Sequence, residues 1–184
     1  MENDIRFIGN IKLGCQVVCS DPCYDDYGDD SSVNCTFNNV KAGNYYAFYG
    51  TADFKNWGNR ITQIIVTHED YNSDIITDFS DFEWIGDCCV DSGTCGIWDY
   101  DYFETYHEDG LNDDWYDNNI CNLLDKIALF GGVSICSSSG FGDGCYGVYG
   151  KYNDKNQLVA IQIVYISDEE DDDVNDWGYN EEED

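Results

Sequence analysis

SSSGFGDGCYGVYGKYNDKNQLVAIQIVYI, residues 137–166, is the stretch whose reading decides the fold. A glycine-rich loop leads into an aromatic arm, then a polar turn of Asn153, Asp154, Lys155 and Asn156, then the most apolar run of the chain. Asn and Asp bond their own backbone and tolerate positive φ, so these residues predict a tight turn and the stretch predicts a β-hairpin. The second arm has apolar residues on both faces (Leu158, Val159, Ala160, Ile161, Ile163, Val164, Tyr165, Ile166), the pattern of a central strand covered on both sides. Gly140, Gly142, Gly144 and Gly147 surround Asp143 and open backbone conformations closed to other residues, with Asp143 expected to tie down its own loop.

Working outward, residues 4–9 and 11–20 read as two strands, the second placing Cys15, Val17 and Cys19 on one face and Gln16 and Val18 on the other. Asp21-Pro22 stops that ladder, since proline lacks the donor and biases its predecessor to an extended form. Residues 33–40, 44–54 and 60–70 are the next strands, with Ile64 and Val66 expected on one face and Ile61 and Ile65 on the other. EWIGDCCVDSGTCGIWD reads as two short strands around Asp91-Ser92-Gly93. From Asn112 or Asp113 a helix is expected, its face carrying Trp115, Ile120, Leu123, Leu124 and Ile127 and its end at Gly131-Gly132. Gly132 to Ser138 then returns to strand. The sum is one mainly β domain over 1–166, an antiparallel sandwich or distorted barrel with one or two short helices, followed by an acidic, flexible tail over 167–184.

The chain of 184 residues, 42% hydrophobic and 16% aromatic, is long and apolar enough to bury its own core. Its formal charge is -30, and eleven of the acids fall between Asp168 and Asp184 with no base among them. The body remains acidic, with 27 carboxylates against 8 basic residues, and the interval between Arg60 and Lys126 holds seventeen carboxylates and no base. Such a field repels nucleic acid and anionic membranes and favours a basic protein or a divalent cation as partner. MENDIRFIGN has no basic-then-apolar leader pattern, and no apolar run reaches the length of a membrane span. A cytoplasmic location is expected, and with it ten free cysteines.

Three segments taken in order, SDPCY at 20–24, CVDSGTCGIWD at 89–99 and SSSGFGDGCYGVYG at 137–150, resemble a family of uncharacterised mainly β proteins of bacteria and their phages. That pattern is a strand ending in DP, a DSG or DAG turn before a short strand and an acid, and SGYGDGSYP-like residues before the last strand. The resemblance spans most of residues 8–166, with Cys145 where serine is usual and Gly147 where proline is expected. It implies a β fold and carries no activity with it.

Asp21, Asp91, Asp99 and Asp143 stand at loops or strand ends within those motifs, and together they could offer oxygen ligands to Ca²⁺ or Mg²⁺. The competing reading is that each accepts hydrogen bonds from its own turn. DYDYFETYHEDG fails the EF-hand pattern at its fifth, sixth and twelfth positions. Cys15, Cys19, Cys23, Cys88, Cys89 and Cys95 lack the paired knuckles of structural zinc sites and read as small core residues. Cys23 or Cys145 with His68 or His107 could in principle form a thiol–imidazole pair. The loop at 140–144 lacks the GxxxxGK[ST] lysine that nucleotide phosphates require. The remaining feature is an aromatic, acidic flank: Trp98, Tyr100, Asp101, Tyr102, Glu104, Asp113, Asp114, Trp115 and Tyr116. Aromatic anchors ringed by carboxylates suit a basic protein surface, unless the rings are core and the acids merely its solvated side. The function expected is therefore a non-enzymatic acidic binding protein. The alternatives are a Ca²⁺-responsive or self-assembling structural protein and an Asp- or Cys-based hydrolase.

Overall fold

The computed structural model describes residues 4–24, 34–71, 79, 81–107, 112–121, 123 and 126–167. Eleven strands and two helices lie within them: β1 (Asp4–Leu13), β2 (Val17–Ser20), β3 (Cys35–Phe37), β4 (Gly43–Asp53), β5 (Asn59–His68), β6 (Glu83–Val90), β7 (Thr94–Asp99), α1 (Tyr100–His107), α2 (Asn112–Asn119), β8 (Ile127–Phe130), β9 (Ser134–Ser138), β10 (Gly144–Tyr152) and β11 (Leu158–Val164). They form two antiparallel sheets, a larger one in the order β1-β4-β5-β11-β10-β6 and a smaller one in the order β3-β2-β7-β9-β8. The protein is a mainly β sandwich, not a closed barrel. Among the described residues no helix is long and apolar enough to cross a membrane.

The hairpin of residues 137–166 is the centre of the larger sheet, as its sequence requires. β11 lies between β5 and β10, and Leu158 to Ile163 are buried on both faces. Its turn is held by Asn153, whose Oδ1 accepts the backbone N–H of Lys155 and of Gln157, while Asn156 takes φ +58. Loop 139–142 uses a different device from the expected one. Asp143 is exposed, and it is the Tyr146 hydroxyl that donates to the carbonyls of Ser139 and Gly142, with the Ser139 hydroxyl donating to Gly142 as well.

Two cores result. Ile11, Leu13, Val17, Cys19, Ile64, Val66, Ile97, Ile135, Ile161 and Ile163 fill the space between the sheets. Val18, pointing the other way from its neighbours as strand alternation demands, joins Trp98, Phe103, Ile120, Leu123 and Phe130 beneath the two helices. Asp91-Ser92-Gly93 does not close a hairpin: β6 belongs to the larger sheet and β7 to the smaller, so this turn carries the chain from one layer to the other.

Two expectations are corrected here. Ile61 packs in the inter-sheet core with Ile64 and Val66, not with Ile65, because the β4–β5 register skips Thr62. The extra residue of this bulge reverses the alternation on its N-terminal side. The Thr62 carbonyl instead accepts the backbone N–H of both Tyr165 and Ile166. The expected helix also stops early, at Asn119. At its end Ile120 N–H and Cys121 N–H both donate to the Tyr116 carbonyl, which closes the last turn instead of continuing the i−4 ladder, and the Asn118 and Asn119 side-chain amides donate to the carbonyls of Asp114 and Trp115 one turn back. Ile127 consequently starts β8, and Gly131 and Gly132, at φ +57 and +68, turn β8 into β9.

Candidate functional site

Burial of Asp21 follows from its place just beyond β2, under the crossover between the sheets. Its Oδ2 accepts the backbone N–H of Asp91 at 2.9 Å and of Ser92 at 2.7 Å, and its Oδ1 accepts Cys23 N–H at 2.8 Å and the Ser92 hydroxyl at 2.6 Å. Ser139 N–H donates to Gly93 O at 3.0 Å. The three motif segments therefore meet at one end of the sandwich, with Asp21 as the knot. That is a structural role. Asp91 and Asp143 are exposed at the same end, but Asp99 is not there. It faces Val17 in the β2–β7 ladder, four residues from Asp21 and about 13 Å along the strand. There its Oδ2 accepts Gly14 N–H at 2.7 Å and its Oδ1 accepts Tyr102 N–H at 3.3 Å, capping α1. The four carboxylates do not converge on one ion. Among the described residues no group of three or more His, Cys, Asp or Glu side chains is arranged to hold a metal.

The cysteines differ from expectation in one pair. Cys89 and Cys145, directly opposite on β6 and β10, form a disulfide, and the other eight are free thiols. Cys88 and Cys95 lie 3.4 Å apart, sulfur to sulfur, in the core. Burial pushes the Cys19, Cys95 and Cys136 thiols well up. Burial first, then the Asp21 charge, pushes Cys23 up to about 12, so it is a poor nucleophile at neutral pH. Cys145 is oxidised. His68 is buried edge-on against Tyr45, and its Nδ1 accepts Asp70 N–H at 3.1 Å; the side chain of His107 lies outside the described residues. No thiol–imidazole pair is present among the described residues.

Of the described residues in the 98–117 flank, Trp98 and Phe103 are core and the rest are half-buried or exposed. Trp98 is wholly buried, its indole N–H donating to Ser20 O, with the rings of Phe103, Trp115 and Phe130 centred 5.6–6.0 Å from its own. Tyr100, Tyr102, Trp115 and Tyr116 are half-buried. Of the acids, Asp101 and Asp114 are exposed and Glu104 is partly so, while the side chain of Asp113 lies outside the described residues. The rings of this flank roof the smaller sheet, and Trp98 offers no surface to a partner.

A second aromatic, acidic surface lies on the opposite sheet. β6 is an edge strand of the larger sheet, and a bulge opposite Val148 and Tyr149 turns Trp84 outward beside Asp87. Trp84 is 61% exposed, and its indole N–H donates to Asp87 Oδ1 at 3.1 Å. Glu83, Asp87 and Asp81 are exposed around it. Next to them an open groove of about 580 Å³ is lined by Asp81, Phe82, Glu83, Gly150, Lys151, Tyr152 and Asn156. Its one cation, Lys151, is bound to Asp81 at 2.7 Å and sits 5.2 Å from the Tyr71 ring centre. The two tryptophans stand in similar acidic company in the sequence, which does not show which of them the fold leaves exposed. The signal was the strand EWIGD itself, in which a tryptophan shares a strand with Glu83 and Asp87.

Compared with known proteins, the chain matches no family model, no curated sequence and no solved structure. The likeness of the three motifs to the phage and bacterial β proteins thus rests on those residues alone.

Proposed function

We propose that this is a non-enzymatic binding protein that engages a basic protein partner through its acidic surface, with the β6 edge as the contact. The supporting observation is Trp84, a large ring held in the open by a hydrogen bond to Asp87 and flanked by Glu83 and Asp81. Aromatic side chains supply contact area at low entropic cost, and surrounding carboxylates steer a cationic partner and fix its register. The hydrolase reading lacks support from the same geometry, since Asp21 is enclosed by N–H and O–H donors and Cys23 holds its proton.

Titrating the protein with basic proteins such as lysozyme and cytochrome c, at salt from 20 to about 500 mM, tests this reading. Complexes that weaken steeply with salt, together with quenching or a blue shift of an exposed tryptophan, are the expected outcome. Complexes indifferent to salt, or none with any basic protein, would contradict it.

A further inference from the structure

Two thiols face each other across the crossover between the sheets. Cys88 lies on β6 of the larger sheet, opposite Tyr146 of β10, and Cys95 lies on β7 of the smaller sheet, opposite Ser137 of β9. Both side chains are wholly buried between the layers, and their sulfurs stand 3.4 Å apart. Each strand is fixed from its own side: β6 by the Cys89–Cys145 link, β7 by the Tyr165 hydroxyl, which donates to Cys95 O at 3.2 Å. The turn between them is pinned by Asp21, which accepts Asp91 N–H and Ser92 N–H. The backbone therefore holds the pair in place, and shortening the contact to an S–S bond of about 2.0 Å takes a movement of about 1.4 Å, on the scale of a side-chain rotation.

We infer that Cys88 and Cys95 are a redox site: the free pair closes to a second disulfide, joining the two sheets, when the chain meets a small disulfide of the glutathione class. The thiolate of one cysteine attacks a sulfur of that reagent and expels one thiolate, leaving a mixed disulfide. The thiolate of the other attacks the protein sulfur of the mixed disulfide and expels the second. One S–S bond forms and one breaks, the two protein thiols are oxidised, and their protons end on the two released thiols. Both cysteines are enclosed, and burial pushes the Cys95 thiol up, so the native pair reacts slowly and the first attack proceeds from openings of the edge strand β6. Cys19, which faces Cys35 in the β2–β3 ladder, shares the same core, so the pairings that compete are Cys88 with Cys19 or with Cys35. The bond would brace the crossover that Asp21 holds by hydrogen bonds, and a dithiol reductant would release it.

The full chain is equilibrated in mild urea, below its unfolding midpoint, in glutathione buffers of rising oxidised share, then quenched in acid, alkylated and mapped by mass spectrometry. Cleavage before aspartates, which stand at 87, 91 and 99, places Cys88 and Cys95 on different peptides, 87–90 and 91–98. The expected result is a link between those two peptides and six free thiols in place of eight. Peptide 87–90 also carries Cys89, so the same mapping is made on the paired Cys89→Ala and Cys145→Ala variant, where the link should persist through Cys88. Should that variant fail to fold, the wild type still shows 87–90 joined at once to 91–98 and to the Cys145 peptide. Cys136→Ala, at a buried thiol outside the pair, should leave the link unchanged. Alkylation of both Cys88 and Cys95 at every oxidised share that keeps Cys89–Cys145 closed, or a link from Cys88 to Cys19 or Cys35, would overturn the inference.

Discussion

Asp21 carries four hydrogen bonds in a place with no solvent access, and three of its donors belong to the crossover between the two sheets. Replacing one carboxylate oxygen by an amide, as in Asp21→Asn, sets N–H against N–H and strands buried donors. A loss of about 3 kcal/mol in urea unfolding is expected, where an exposed acid such as Asp143→Asn should change stability by less than about 0.5 kcal/mol. The buried thiols make a second residue-scale prediction. Cys19, Cys95 and Cys136 hold their protons more tightly folded than unfolded, because burial penalises the thiolate. The native state therefore binds more protons than the unfolded state above the ordinary thiol pKa. Their stabilising effect is complete below pH 9 and is lost as pH rises through the raised folded values, at a limiting slope of about 1.4 kcal/mol per pH unit per thiol. Urea midpoints should be flat from pH 7 to 8.5 and fall beyond, less steeply in Cys136→Ala.

The two short helices owe their place to packing more than to their own sequence, since eight polar-rich residues apiece are too few to hold a helix in water. Phe103→Ala should therefore cost about 3–5 kcal/mol and expose the amides of α1 to hydrogen exchange, while Asp101→Ala on its solvent side should leave both nearly unchanged. Across β6 and β10, the Cys89–Cys145 link closes a separation of 56 residues, and its removal by reduction or by the paired change to Ala should lower stability by up to about 4 kcal/mol on a chain-entropy account. Elements of this size were legible in the sequence where a pattern was local. The β10–β11 hairpin, its Asn153 turn and the central position of β11 all follow from spacing along one stretch. Ile61, the end of α2 and the Cys89–Cys145 pair did not, because a bulge at Thr62, a last turn closed on the Tyr116 carbonyl and a cross-strand register are set by packing and by neighbours distant in sequence. The aromatic flank illustrates the same limit: Trp98 and Trp84 stand in similar acidic company, and only the placement of α1 and α2 over one sheet makes the first core and the second surface.

On the scale of the whole molecule, charge is segregated. Acids dominate the helical roof and the β6 edge, while Arg6, Arg60 and Lys126 lie towards the far edge of the larger sheet, Arg6 in contact with Asp4. Self-repulsion at -30 opposes the compact state, so the melting temperature should rise as sodium chloride is increased from 10 to about 300 mM, where screening of exposed charges becomes effective. A general acidic field and a local acidic contact predict different responses to charge reversal, and that difference bears most directly on the proposed function. The deciding measurement is the affinity for a basic protein, taken at fixed low salt, of two double variants with the same net charge: Glu83→Lys with Asp87→Lys on the β6 edge, and Asp101→Lys with Asp114→Lys on the helical roof. An edge contact predicts a loss of about tenfold or more for the first pair and at most a few-fold for the second. Equal losses in both would mean that net charge alone draws the partner, and would contradict a binding site at Trp84.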